Sequence, residues 1–220
     1  KLAYFEKLLK TAKRPLLYVG GGAIHAEAAA SLTAFADAFG IPVTTTLMGF
    51  GAYDTTLPRA LHMLGMHGTA FANYAVEDCD ALIAIGARFD DRVAGVPGKF
   101  APRAKWIAHL DIDAGEINKV KRVHWSHVGE INPALDALTT HLKASGFKPD
   151  YADWHAHIAQ LKTTYKMDYE RGGEYIQPHA VIEEINKITK GEAVVATGVG
   201  QHQMWAAQYF DFKKPRLWLT

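Results

Sequence analysis

Short unbroken apolar runs, separated by stretches of helical period, organise the first two-thirds of the chain. PLLYVG (15–20), IPVTTTL (41–47), ALIAIG (81–86) and WIAHLDID (106–113) carry apolar or β-branched residues at successive positions, the pattern of strands covered on both faces. WSHVGE (125–130) predicts a shorter strand. Between them, residues 26–39 place Ala28, Leu32, Phe35 and Phe39 at helical spacing ahead of Gly40, which suits a C-terminal cap. Residues 69–76 and 133–144 predict further helices, and GEINKV a helical turn. Strands alternating with helices predict an α/β fold, a doubly wound parallel sheet with helices on both faces, over residues 1–146.

From Ser145 the pattern changes. SGFKPDYADW carries turn residues, 151–169 reads as a long polar helix that buries little surface, and GGEYIQP resets the chain. Pro178 suits the first turn of a helix ending near Lys190, AVVATGVG (193–200) predicts a strand, and QHQMWAAQYF (201–210) a helix. The expected organisation is therefore one domain over 1–146, a connector over 147–176, and the opening βα unit of a second domain over 177–220. The first residue is not Met and PRLWLT reads as a strand just beginning, so a piece of a larger protein is expected.

Composition removes several classes of function. With 49% hydrophobic and 21% charged residues in 220, the chain can bury a full core. A net charge of +1 leaves neither sign dominant and argues against nucleic acid or a membrane surface as partner. No apolar run approaches a membrane span. The one cysteine, Cys79, excludes an internal disulfide, reads as a small buried hydrophobe and fits a reducing, cytoplasmic setting.

Candidate chemistry gathers where predicted strands end, the place at which open parallel sheets bind ligands. Gly20, Gly21 and Gly22 follow the first strand, Thr46 and Leu47 the second, and Gly86 to Arg92 the third; Asp111 and Asp113 close the next, and Gly129 and Glu130 the last. YVGGGAI lacks the usual dinucleotide spacing and reads equally as a tight turn or a phosphate cradle. Arg88, Asp90, Asp91 and Arg92 put four charges in five positions; arginine forks suit phosphate or carboxylate, and surface ion pairs are the alternative. Asp111 either meets a ribose hydroxyl or caps the following turn. His67, inside LGMHG, is the histidine best placed to face a ligand, whereas His124/His127 and His155/His157 lack the partners of a zinc site. Trp154 and Trp205 read as packing.

Taken together, RPLLYVGGG, IPVTTTLMGFGAYD, LHMLGMHGTAFANYAVEDCDALIAIGARFDDRVAG, HLDIDAGEINK and TGVGQHQMWAAQYF resemble the catalytic subunit of acetohydroxyacid synthase, from about Arg14 to Thr220. The resemblance implies the central, FAD-binding domain of that three-domain enzyme and the start of its C-terminal, thiamine diphosphate-binding domain. It implies a six-stranded central sheet, where five strands are legible in the sequence. Carried over by position, Gly20, Gly21, Gly22, Thr46 and Leu47 would approach FAD, with Leu64, Gly65, Met66 and His67 around it. Gly86, Ala87, Arg88, Phe89 and Asp90 would line its middle, and Asp111, Ile112, Glu130 and Ile131 its adenosine end, Glu130 standing where Asp is more usual. Arg92 would border the substrate channel, and Val199, Gln201 and His202 would begin the thiamine diphosphate site.

The reaction so implied joins two 2-ketoacids with loss of carbon dioxide, in branched-chain amino acid biosynthesis, FAD serving structure rather than electron transfer. Thiamine diphosphate and Mg²⁺ would be held mostly outside these residues, which include no catalytic acid or base. A homodimer or homotetramer with a regulatory small subunit is further implied, and the chain by itself is expected to be inactive. Related thiamine enzymes of the glyoxylate carboligase or pyruvate oxidase type, and a non-catalytic nucleotide-binding module, are the alternatives.

Overall fold

A computed structural model describes all 220 residues. Its main sheet has six strands, β1 (Pro15–Val19), β2 (Val43–Thr45), β3 (Ala60–Met63), β4 (Ala81–Ile85), β5 (Trp106–Asp111) and β6 (Trp125–Val128). Every pairing is parallel and the order is β3-β2-β1-β4-β5-β6. That order reverses direction between β1 and β4, the switch point at which doubly wound sheets open a crevice. Strands β1, β4 and β5 are buried at every position, as their unbroken apolar runs require.

Helices α1 (Leu2–Leu9), α2 (Gly21–His25), α3 (Ala29–Phe39), α4 (Ala70–Asp78), α5 (Asp91–Ala94) and α6 (Ile131–Ala144) alternate with these strands, and α7 (Ala152–Thr164) follows. Thr69 caps α4, its Oγ1 accepting from the Ala72 N–H at 3.2 Å. On one face Phe5 of α1 meets Trp106 and Trp125 edge-on at 6.2 and 5.0 Å. On the other, Tyr18 and Phe100 enclose Phe89.

The structure departs from the sequence reading in four places. The sixth strand is β3, ALHM, only four residues long; its register against β2 shifts and His62 takes a left-handed φ of 57°, so no period-2 signal survives. The helix expected over 26–39 begins only at Ala29, as α3, because Glu27 adopts φ 54°, and the preceding glycines form a separate short helix, α2, that the sequence did not announce. The expected strand 193–200 pairs over two residues only, β7 (Val195–Ala196) against β8 (Trp218–Leu219). Helix α7 buries more than its polarity suggests: Trp154, Ile158 and Leu161 fall on one stripe and join the main core, and Trp154 Nε1 donates to the Pro15 carbonyl at 2.9 Å.

A smaller core closes the C-terminal stretch. Helices α8 (Pro178–Thr189) and α9 (Gln201–Tyr209) flank β7, and Ala206, Ala207, Phe210, Phe212 and Trp218 pack with Phe50 and Met63 from the first unit. Phe50 and Phe212 stack at 4.5 Å.

Candidate functional site

The carboxyl ends of the strands are laced together by backbone hydrogen bonds. Gly20 donates to Ile85 (3.0 Å), Thr46 to Val19 (2.8 Å), Gly86 to Leu110 (2.8 Å) and Gly129 to Asp111 (3.0 Å). A methyl group on Gly20 would lie 2.2 Å from the Gly86 carbonyl oxygen, so this glycine is set by backbone against backbone. α2, which begins one residue later, can lie directly over the exit of β4 for the same reason.

Beside that contact opens a cleft of about 620 Å³, within the usual size of a small-molecule site. Gly22, Gly86, Asp111, Ile112, Glu130 and Ile131 line it, six of the residues expected from the sequence. His25, Glu27 and Asn132 also line it, and sequence reasoning missed them. Asn132 donates to the Ala26 carbonyl at 2.8 Å, while its own amide oxygen is buried without a partner. The break between α2 and α3 brings residues 25–27 here, and no periodicity marks that break.

Of the two roles open to it in the sequence, Asp111 takes the capping one while also lining the cleft. Its Oδ1 accepts from the Asp113 N–H at 3.0 Å, capping the turn, and its Oδ2 lies 3.6 Å from His109 Nε2. Burial raises the Asp111 carboxyl pKa, but His109 and the backbone N–H groups of Asp113 and Ile112 outweigh it and hold the group below the usual carboxylate range.

A second recess, of about 400 Å³, joins the first unit to the C-terminal stretch. Leu47, Leu64, Met66, His67, Arg92 and Val199 meet there with Met63, Val93, Gln203 and Met204. The Met66 N–H donates to the Arg92 carbonyl at 2.9 Å. Asn73 clamps Gly65 by accepting from its N–H (2.8 Å) and donating to its carbonyl (3.0 Å).

The charged knot after β4 splits between core and water. Phe89 turns inward through φ 56° and is buried, so it offers a ligand only its backbone. Arg88, Asp91 and Arg92 are exposed, and neither arginine is ion-paired with Asp90 or Asp91. Gly20, Gly21, Thr46, Ala87, Arg88, Phe89 and Asp90 border the strand ends without lining either recess. Gln201 and His202 open α9 and are exposed; the first N–H groups of a helix lack internal partners and suit an anion. No three His, Cys, Asp or Glu side chains converge as a metal site, and no helix is long and apolar enough to cross a membrane.

The family described as thiamine pyrophosphate enzyme, central domain, matches residues 3–138. The chain belongs to the thiamine pyrophosphate enzymes. The chain is similar to acetolactate synthase 2, chloroplastic, of Zea mays, 49% identical over 97% of the chain and 33% of that protein. It is also similar to acetolactate synthase 3, chloroplastic, of Brassica napus (44%, over 100% of the chain and 34% of the protein) and acetolactate synthase, chloroplastic, of Arabidopsis thaliana (45%, over 100% and 32%). The chain spans about a third of the length of the curated relatives it matches.

Proposed function

We propose that the chain is the central portion of an acetohydroxyacid synthase catalytic subunit, holding FAD along the strand ends and contributing to a thiamine diphosphate site through α9. The observation that carries this reading is the cleft at the switch point. Backbone lies bare at Gly22 and Gly86, an acceptor-only carboxylate stands at Asp111, and the buried amide oxygen of Asn132 lacks a partner. These features suit the adenosine end of an extended dinucleotide, with Arg88 free to meet its pyrophosphate.

Thiamine diphosphate would supply the electron sink for decarboxylating a 2-ketoacid and joining it to a second one. The chain's own residues bind and shield. Val199, Gln201 and His202 present the α9 N-terminus to a diphosphate. Arg92 offers a cation to a ketoacid carboxylate, and Leu47, Leu64, Met66 and Met204 exclude water from the recess. Mg²⁺ would take most of its ligands from other parts of the protein, and FAD would act in structure. A homodimer or homotetramer, a regulatory small subunit and a cytoplasmic setting complete the proposal, the last resting on the single buried thiol of Cys79.

The test is the full-length protein supplied with pyruvate. It should release carbon dioxide and form 2-acetolactate only with thiamine diphosphate and Mg²⁺ present, and carry bound flavin. The 220-residue chain with the same additions should form none. Turnover by that chain would overturn the division of roles, and flavin reduction coupled to pyruvate oxidation would favour the pyruvate oxidase alternative.

A further inference from the structure

His109 sits in the middle of β5, in register with Ala84 on β4 and Ser126 on β6, and is fully buried. Neither ring nitrogen has a hydrogen-bond partner. One of them carries a proton in either tautomer, and an unsatisfied buried donor is costly, so a native structure that keeps one calls for a reason.

Two features fix the ring. Ala84 is the register partner of both Tyr18 and His109, and its small side chain leaves room above the sheet. Phe89 fills that room, 5.2 Å from the Tyr18 ring and 5.3 Å from His109, meeting the imidazole edge-on at 85°. It does so in a left-handed backbone conformation rarely taken by an aromatic residue. Asp111 then follows two residues later on the same strand face. One of its oxygens is committed to the Asp113 N–H; the other lies 3.6 Å from His109 Nε2. That is just beyond hydrogen-bond reach, close enough to tighten when a ligand draws on the carboxylate.

We propose that His109 is a positioning residue which, through Nε2, holds the Asp111 carboxylate to accept hydrogen bonds from a vicinal diol, the ribose of an adenine nucleotide in the strand-end cleft. The proposal rests on the reading of that cleft as a nucleotide site. A carboxylate only accepts, so it repels phosphate and complements a pair of hydroxyl donors. With one oxygen held by backbone and the other close to an imidazole that is itself fixed by packing, the carboxylate has little ordering left to do at binding.

The experiment uses flavin-free full-length protein titrated with ADP and with 2′,3′-dideoxy-ADP. The wild type should prefer ADP by about tenfold or more, the worth of a hydrogen bond to a charged acceptor. His109→Phe and His109→Leu, which remove the donor, should reduce that preference to about threefold or less, while His109→Gln, whose amide can replace Nε2–H, should restore most of it. Near-ultraviolet circular dichroism reports folding. The proposal is overturned if a folded Phe or Leu variant keeps the wild-type preference, or if the Gln variant loses it equally. Unfolding of both donor-less variants would assign His109 to packing and overturn it too. Absence of ADP binding by the wild type, or an unchanged preference in Asp111→Asn, would instead overturn the underlying reading of the cleft.

Discussion

Gly22 and Gly86 touch through bare backbone: the Gly22 N–H donates to the Gly86 carbonyl at 3.0 Å, and a methyl group on either would come within 2.7 Å of the other's Cα. Gly86 also holds φ 55°. Gly86→Ala therefore combines left-handed strain with a clash and should cost about 3 kcal/mol or more, and Gly22→Ala, with the clash only, about 1–3. Gly146, at φ 69° with nothing within 4 Å, is the control: alanine there should cost about 1–2 kcal/mol. Denaturant midpoints measure the order, and Gly86→Ala matching Gly146→Ala would contradict the close approach of α2 to the exit of β4.

Arg88 is exposed and unpaired, so Arg88→Ala should leave stability within about 0.5 kcal/mol. Flavin affinity of the full-length protein should nonetheless fall about tenfold to hundredfold, one charge-assisted contact being lost. Flavin absorbance after gel filtration checks this; full retention would make the arginine a bystander.

Gln201 and His202 should show the opposite selectivity. In the full-length protein, Gln201→Ala and His202→Ala should each raise the thiamine diphosphate concentration for half activity by about tenfold, the loss of one hydrogen bond to a charged group, with flavin content unchanged. Variants that shed flavin and keep normal thiamine dependence would refute the assignment of α9.

Glu6 ties α1 to α6. Lys10, at 2.6 Å, is the main cause of its lowered pKa, with Ser145 and His141 adding to it against the opposing effect of burial, and the carboxyl is held at about 2 rather than 4.5. A depressed carboxyl pKa stabilises above the unfolded value and the benefit disappears as pH falls through the folded one. Wild type should thus melt higher than Glu6→Gln at pH 6, and the difference should close between pH 4.5 and about 2. Melting curves across that range decide it; a gap that persists at the acid end would mean that the charge contributes nothing.

How much was legible in the sequence follows from the kind of signal each element carries. β1, β4 and β5 are buried on both faces and announce themselves as apolar runs, and the glycines and Asp111 at their ends marked the cleft directly. β3 did not, because four residues with a register shift and a left-handed histidine leave no alternation to read. His25, Glu27 and Asn132 reach the cleft through the break at Glu27, a backbone event with no compositional signature. His109 had a signal that went unused: it precedes Asp111 by two residues, which on a strand puts both side chains on one face. The inward turn of Phe89 needed the structure, since neighbouring charges suggested an exposed loop.

The seven-residue second core draws Phe50 and Met63 from the far side of the chain. Thr55 adds to the same seam, exchanging hydrogen bonds with the Phe212 backbone at 3.2 and 2.9 Å. Residues 177–220 therefore lack the means to close their apolar interior on their own. The dependence runs one way: the main core is drawn entirely from residues before 177, so a cut between 176 and 177 would leave it whole and uncover the smaller one.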